Sequence, residues 1–234
     1  MKKLIFALFL VGIVVLASGC ETKSEVKTQK SLTLSGITVY YSGDVSLGEA
    51  KNLIGFLKNE LGSQEMDVYL EKDGNSYRVG IVSSYSSESD IDPGLRFYLS
   101  LLPSKMSQDL FDGAKVKLEI LDTDKNVLYS SESKYSYVES SGIVVWYSGT
   151  PEENARKVLD YAVSLVGEGP WDIIMEENNG IYHISAVSSF ESADDIGTAE
   201  TTYRQMVKDL SPELNGKVVL HVLSPEGKEI AVFP

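Results

Sequence analysis

The residues best suited to acid–base or metal chemistry in this 234-residue chain are its two histidines, His183 and His221, both in the second half. A single cysteine, Cys20, excludes an internal disulfide, a cysteine-rich zinc site and an iron–sulfur cluster. Asp122-x-Asp124-x-Asn126 begins like a calcium loop, but Val127 stands where the loop needs glycine and Ser133 where it needs a bidentate glutamate. The spacing therefore predicts a turn built by Asp and Asn, with no metal and no cofactor. There is no Gly-x-Ser-x-Gly elbow, His-Glu-x-x-His pair, phosphate-binding glycine loop or dinucleotide fingerprint. Carboxylates are plentiful, but no catalytic pair stands out among them. A fourth set is hydroxyl-rich and occurs twice: Ser42-Gly43 with Ser83-Ser84, then Ser148-Gly149 with Ser188-Ser189. Such residues could hold an anion or a sugar, or could simply cap helices and turns.

Charge and the N-terminus bound where such chemistry could operate. Met1-Lys2-Lys3 precedes an apolar run, Leu4 to Ala17, about 21 Å long as a helix against roughly 30 Å of bilayer hydrocarbon. That is the size of a signal-peptide core. Leu16-Ala17-Ser18-Gly19-Cys20 follows, and this order resembles the lipobox of prokaryotic lipoprotein precursors; Ala17 stands where that family more often has leucine. The resemblance implies a signal segment over 1–19, cleavage before Cys20, diacylglyceryl transfer to its sulfur, and an anchor on the extracytoplasmic face of the cell membrane. Removing Lys2 and Lys3 leaves 19 basic residues against 34 acidic ones, a formal net charge of −15. So acidic a body repels phosphate backbones, which excludes generic nucleic-acid binding. Residues 20–35 are polar and predict a tether.

The body is a duplication. Gly36-Ile-Thr-Val-Tyr-Tyr-Ser-Gly43 recurs as Gly142-Ile-Val-Val-Trp-Tyr-Ser-Gly149, six identities in eight. Asp67–Ile91 aligns without gaps on Asp172–Ile196, with nine identities in 25. The expected organisation is one α+β repeat over 36–130, a linker over 131–141, and a second repeat over 142–234. In each, a period-two strand leads to a helix whose apolar residues fall at helical spacing: Ala50, Leu53, Ile54, Leu57 and Leu61, or Ala155, Val158, Leu159, Ala162 and Val166. Ser46-x-x-Glu49 and Thr150-Pro-x-Glu153 predict capping boxes, and Gly62 and Gly167 predict helix ends. A hairpin, a second helix and two further strands complete each copy, with Pro103 expected to kink the second helix of copy one. With right-handed crossovers this order predicts a ferredoxin-like, split βαβ arrangement: an antiparallel sheet with both helices on one face. The same order is similar to that of peptidoglycan-binding SPOR domains, a resemblance of topology that assigns no functional residue.

These elements place the candidate residues. Strand alternation points His183 and His221 to the open sheet face, with Val144, Trp146, Ile174, Val187, Val219 and Leu223. In the split order the two histidines stand two strand spacings apart, roughly 9–10 Å, too far for one metal ion with bonds of about 2 Å. Trp146 with His183 and His221 is then a candidate interface, open to a partner or covered by copy one. The split order also brings Ser42, Gly43, Ser83 and Ser84, and their counterparts Ser148, Gly149, Ser188 and Ser189, to one sheet edge. The expected function is a non-catalytic binding or assembly module of the cell envelope, with an envelope protein or glycan as partner. The other class is an envelope enzyme acting on a small or glycan substrate, which would require convergent acids in a deep cleft.

Overall fold

A computed structural model describes residues 29–234 apart from Gly43 and Ser63. The first repeat runs β1 (Lys30–Leu34), β2 (Ile37–Tyr41), α1 (Leu47–Leu61), β3 (Met66–Asp73), β4 (Ser76–Val82), α2 (Pro93–Leu110), β5 (Lys115–Leu121) and β6 (Val127–Glu132). The second runs β7 (Ser136–Ser140), β8 (Ile143–Ser148), α3 (Glu152–Val166), β9 (Trp171–Asn178), β10 (Ile181–Val187), a single turn α4 (Ala193–Ile196), α5 (Ala199–Glu213), β11 (Lys217–Leu223) and β12 (Glu229–Phe233). The protein is α+β and duplicated: each repeat forms one six-stranded sheet with its helices against one face.

The sheets correct the expected strand order. They are mixed and sequential, β1-β2-β3-β4-β5-β6 and β12-β11-β10-β9-β8-β7, with β2∥β3 and β4∥β5 in one and β8∥β9 and β10∥β11 in the other. A split βαβ sheet flanks its first strand with the third and fourth. Here that place is already taken. Lys30–Leu34, expected in the tether, and Ser136–Ser140, expected in the linker, are strands paired antiparallel with β2 and β8. Each hairpin closes through a two-residue turn with both residues at positive φ, Ser35-Gly36 (55° and 87°) and Ser141-Gly142 (54° and 80°), the conformation that matches strand twist. Hairpins close the shortest loops in the chain, so they fill one flank of β2 and β8 at small entropic cost. Only the other flank is left for the strand returning from α1 or α3.

Local chemistry fixes the helices. At α1 the capping box forms: Ser46 Oγ accepts from the Glu49 N–H at 3.1 Å, and Glu49 Oε2 accepts from the Ser46 N–H. At α3 it does not form. Pro151 is the cap residue, and Thr150 Oγ1 accepts from the Asn154 side chain at 3.2 Å instead. Pro103 neither ends nor splits α2. It cannot donate to the Leu99 carbonyl four residues back, and Ser131 Oγ of β6 donates to that carbonyl at 2.8 Å. The freed acceptor is satisfied from outside the helix.

Each repeat has its own core. Ile37, Leu53, Leu70, Met106 and Leu118 belong to the first, Ile143, Leu159, Met175, Ile184 and Leu210 to the second. Helix α2 serves both repeats. One face packs on β5 and β6; the other meets β7, the edge strand of the second sheet. At its start, Phe97 presses on Gly227 in the β11–β12 turn. At its end, Ser104 Oγ accepts from the backbone N–H groups of Lys134 and Tyr135, and Gln108 accepts from that of Tyr137. Leu101, Trp146 and Leu223 are 2%, 4% and 8% exposed yet belong to neither core, and they mark the seam between the repeats.

Candidate functional site

Trp146 lies in this seam. Its ring packs against Tyr137 with centroids 5.2 Å apart, and its Nε1–H donates to Asp172 Oδ1 at 2.7 Å. Burial pushes the Asp172 carboxyl above its ordinary range, with the indole hydrogen bond opposing. Tyr98 of α2 senses the Asp172 charge; burial, then its bond to Glu60, raise its phenol. Tyr137 Oη donates to Asp109, and burial, then that bond, push it up to about 12. The expected interface residue therefore faces copy one and not solvent.

The two histidines stand beside the seam, and their geometry departs from expectation. Strands β10 and β11 are parallel neighbours, so His183 opposite Val219 and His221 opposite Ser185 form a diagonal pair. His183 Nδ1 lies 3.1 Å from His221 Nε2, and the ring centroids are 5.4 Å apart. His221 Nδ1 in turn lies 2.6 Å from Glu229 Oε2 of β12. A carboxylate only accepts hydrogen bonds, so His221 carries its proton on Nδ1 and, when neutral, turns the Nε2 lone pair toward His183. Opposite His183 across β9 stands Glu176, which accepts from Lys134 Nζ and Tyr135 Oη. The Lys134 ammonium is the main cause that holds the Glu176 carboxyl below its ordinary range. The 9–10 Å separation that excluded a shared site fails with the strand order that produced it.

The hydroxyl-rich residues do not meet at one edge. Strand β4 runs antiparallel to β3 and hence to β2, so Ser42 and Ser83 lie at opposite ends of the sheet. Gly43 lies outside the described residues. In repeat two, Gly149 (φ 72°) packs against the Glu177 carbonyl near the β9–β10 turn, whereas Ser188 bonds to Leu223 at the other end. Ser83 Oγ donates to the Leu121 carbonyl at 2.9 Å and Ser188 Oγ to that of Leu223 at 2.8 Å. Both hydroxyls are committed to the backbone. The Asp122 turn is as expected: its two carboxylate oxygens accept from the Asn126 backbone and side-chain N–H groups.

Ser188 and Ser189 nevertheless border a cavity of about 380 Å³ between α3, α5 and the sheet end. Its walls include Ala162, Trp171, Ile173, Phe190, Tyr203 and Met206, and the exposed Leu165 and Val166 stand at its rim. The matching place in repeat one, about 490 Å³, is lined by Gln64 and Glu65 as well as Leu61, Ser83, Ser84 and Tyr85. The sequence marks these serines as a hydroxyl-rich pair, and the structure sets them at the border of an apolar cavity. The signal for the cavity is the small residues Ala162, Ala186 and Ala199 on elements that face one another.

Fold and site define a duplicated α+β protein with one sheet face buried in the seam between its halves. The family model AF_1994_N, a family N-terminal domain, matches residues 31–133, the span of β1 to β6. A protein of Archaeoglobus fulgidus, named an uncharacterized protein, is 34% identical over 236 aligned residues that cover 100% of this chain and 97% of the relative. The chain belongs to the same family as that archaeal protein. No solved structure matches the chain.

Proposed function

We propose that this protein is a lipid-anchored lipoprotein on the extracytoplasmic face of the cell membrane, and that its duplicated body is a non-catalytic binding module of the cell envelope. The anchor rests on the lipobox-like Leu16–Cys20 and the basic and apolar stretch before it, which lie outside the described residues. Two acyl chains hold a protein stably where one is marginal. Among the described residues no helix is long and apolar enough to cross a membrane. The first strand begins at Lys30, so nine residues, Glu21 to Gln29, separate Cys20 from the folded body. At roughly 3.5 Å per residue they reach about 32 Å at most, and the body stays close to the bilayer surface.

The observation that carries the binding reading is the repeat-two cavity. Its volume falls in the range of small-ligand sites, and its walls are apolar and aromatic. It contains no carboxylate, imidazole or thiol, and the Ser188 hydroxyl is occupied by a backbone carbonyl. Such a pocket suits retention of a small apolar group rather than its chemical conversion.

Two measurements test the reading. The amphipathic fluorescent probe anilinonaphthalene sulfonate should bind one site per chain through its aromatic rings and quench Trp171, and Ala199→Phe should abolish this by filling the cavity. A wild-type chain that fails to bind the probe, or binds it equally after Ala199→Phe, overturns the pocket assignment. Separately, Cys20→Ser should release the protein from the membrane fraction; unchanged fractionation and gel mobility overturn the anchor.

A further inference from the structure

We propose that His183 and His221 form a two-imidazole clamp for a divalent transition-metal ion, with Glu229 orienting His221 from behind. The site is distinct from the apolar cavity and does not depend on that reading.

The argument begins with the nitrogen separation. Two imidazole nitrogens bonded at 2.0–2.1 Å to one tetrahedral ion stand about 3.3–3.4 Å apart. His183 Nδ1 and His221 Nε2 are 3.1 Å apart. Opening by two or three tenths of an ångström, with each ring turned by about 35° so that its lone pair leaves the N–N line, admits an ion between them. The tautomers favour this. Glu229 Oε2, 2.6 Å from His221 Nδ1, fixes that proton and leaves Nε2 free as a ligand. A carboxylate behind a ligating histidine is the usual support of imidazole–metal bonds and raises the basicity of the ring. His183 has only to move its own proton to Nε2.

The surroundings suit a cation. Glu176 faces His183 across β9 and Glu229 sits behind His221, while Lys134 is the ammonium bound to Glu176. Two carboxylates against one ammonium leave the locality negative. The His221 side chain keeps 20% of its surface exposed, so the site can be reached from solvent. Among the described residues no group of three or more His, Cys, Asp or Glu is arranged around one point as a ligand set. Water therefore completes the coordination, and the clamp selects by ligand type. Imidazole nitrogen favours Cu²⁺, Ni²⁺ and Zn²⁺ over the oxygen-seeking Ca²⁺ and Mg²⁺.

The test uses the full chain in detergent with Cys20→Ser, which removes the thiol as a competing ligand. Cu²⁺ titration followed by electron paramagnetic resonance should show one site per chain with nitrogen superhyperfine structure from two imidazoles. Zn²⁺ should compete with Cu²⁺ at this site and Ca²⁺ should not. His183→Asn and His221→Asn should each remove the two-nitrogen signal, and Glu229→Gln should weaken Zn²⁺ binding about 10-fold or more. Circular dichroism and urea midpoints of each variant separate loss of a ligand from loss of the fold, and Glu229→Gln leaves both imidazoles in place as a second check. Copper bound through oxygen alone, or nitrogen signals that survive both histidine substitutions, would overturn the proposal.

Discussion

The two repeats share a fold and differ on the faces of their sheets that point away from their own helices. In repeat one that face is polar. Arg78 reaches Glu119 at 2.6 Å and Glu71 at 3.5 Å, Lys117 reaches Glu119 at 3.0 Å, and Tyr40 stacks on Tyr69 with Lys125 over the latter ring. In repeat two the positions of Glu71, Arg78 and Glu119 hold Glu176, His183 and His221, and those of Tyr40, Tyr69 and Lys117 hold Trp146, Ile174 and Val219. Duplication gave one scaffold two outer faces. One became an ion-pair network in which the exposed Arg78 and Lys117 close over the buried Glu119. The other became an apolar bed for α2, with a histidine pair beside it. An ion pair between neighbouring strands has spent its charges on each other; a neutral imidazole pair keeps a lone pair to offer.

The largest expected consequence is an asymmetry between the aromatic residues at equivalent places. Trp146→Ala removes a buried ring from the seam and leaves Asp172 without its donor, which should cost about 3–5 kcal/mol. Tyr40→Ala removes one member of a stacked pair on a face that α2 does not cover, and should cost about 1 kcal/mol. Urea denaturation of the two variants measures the difference. Equal losses would mean that α2 does not seal the second sheet.

The next effect reverses the direction and belongs to repeat one. Burial would raise Glu49, but hydrogen bonds from Tyr77 and from the Ser46 side chain and backbone, with Lys72 beside them, hold it down at about 2. A carboxyl whose folded value is depressed stabilises the fold above its unfolded value and loses that contribution as pH falls through the folded one. Glu49→Gln should therefore cost about 2 kcal/mol at pH 7, with the difference from wild type shrinking between about pH 4.5 and pH 2. In repeat two the place of Glu49 is held by Asn154, whose amide donates to Tyr182 Oη at 3.0 Å, and the neighbouring Glu153 is 81% exposed and reaches Lys157, so Glu153→Gln should change stability by less than about 0.5 kcal/mol. A Glu49→Gln deficit that stays constant to pH 2 would show that the carboxylate charge is not its source.

Much of this asymmetry was legible in the chain. The duplication, the faces of the strands and the first helix of each repeat follow from period-two and helical spacing, and the apolar bias of the second outer face follows from Trp146, Ile174 and Val219. The strand order was not legible, because βαββαβ is compatible with more than one sheet and the choice rests on non-local pairing. The deciding clue is local: Ser35-Gly36 and Ser141-Gly142 follow short alternating stretches whose polar composition equally suits a tether and a linker. Strand order then controlled the site. It separated Ser42 from Ser83 and brought His183 within 3.1 Å of His221.

The finest comparison is between two aspartates at one repeat position. Asp67 is exposed on the first sheet; Asp172 is half-buried beside Trp146. Burial raises the Asp172 carboxyl above 3.8 despite the indole hydrogen bond. A carboxyl raised on folding contributes its full stability below the unfolded value and loses it as pH rises through the folded one, so at pH 7 ionised Asp172 weakens the seam. Asp172→Asn keeps an acceptor for the Trp146 N–H and removes the charge. It should stabilise the protein at pH 7 by a few tenths to about 1 kcal/mol, with the gain disappearing below about pH 4. Asp67→Asn should stay within about 0.5 kcal/mol at either pH. Urea midpoints at pH 7 and pH 3.5 measure both. If Asp172→Asn destabilises the protein at pH 7, the charged hydrogen bond to Trp146 outweighs the burial of the carboxylate, and the seam is held by charge as well as by apolar contact.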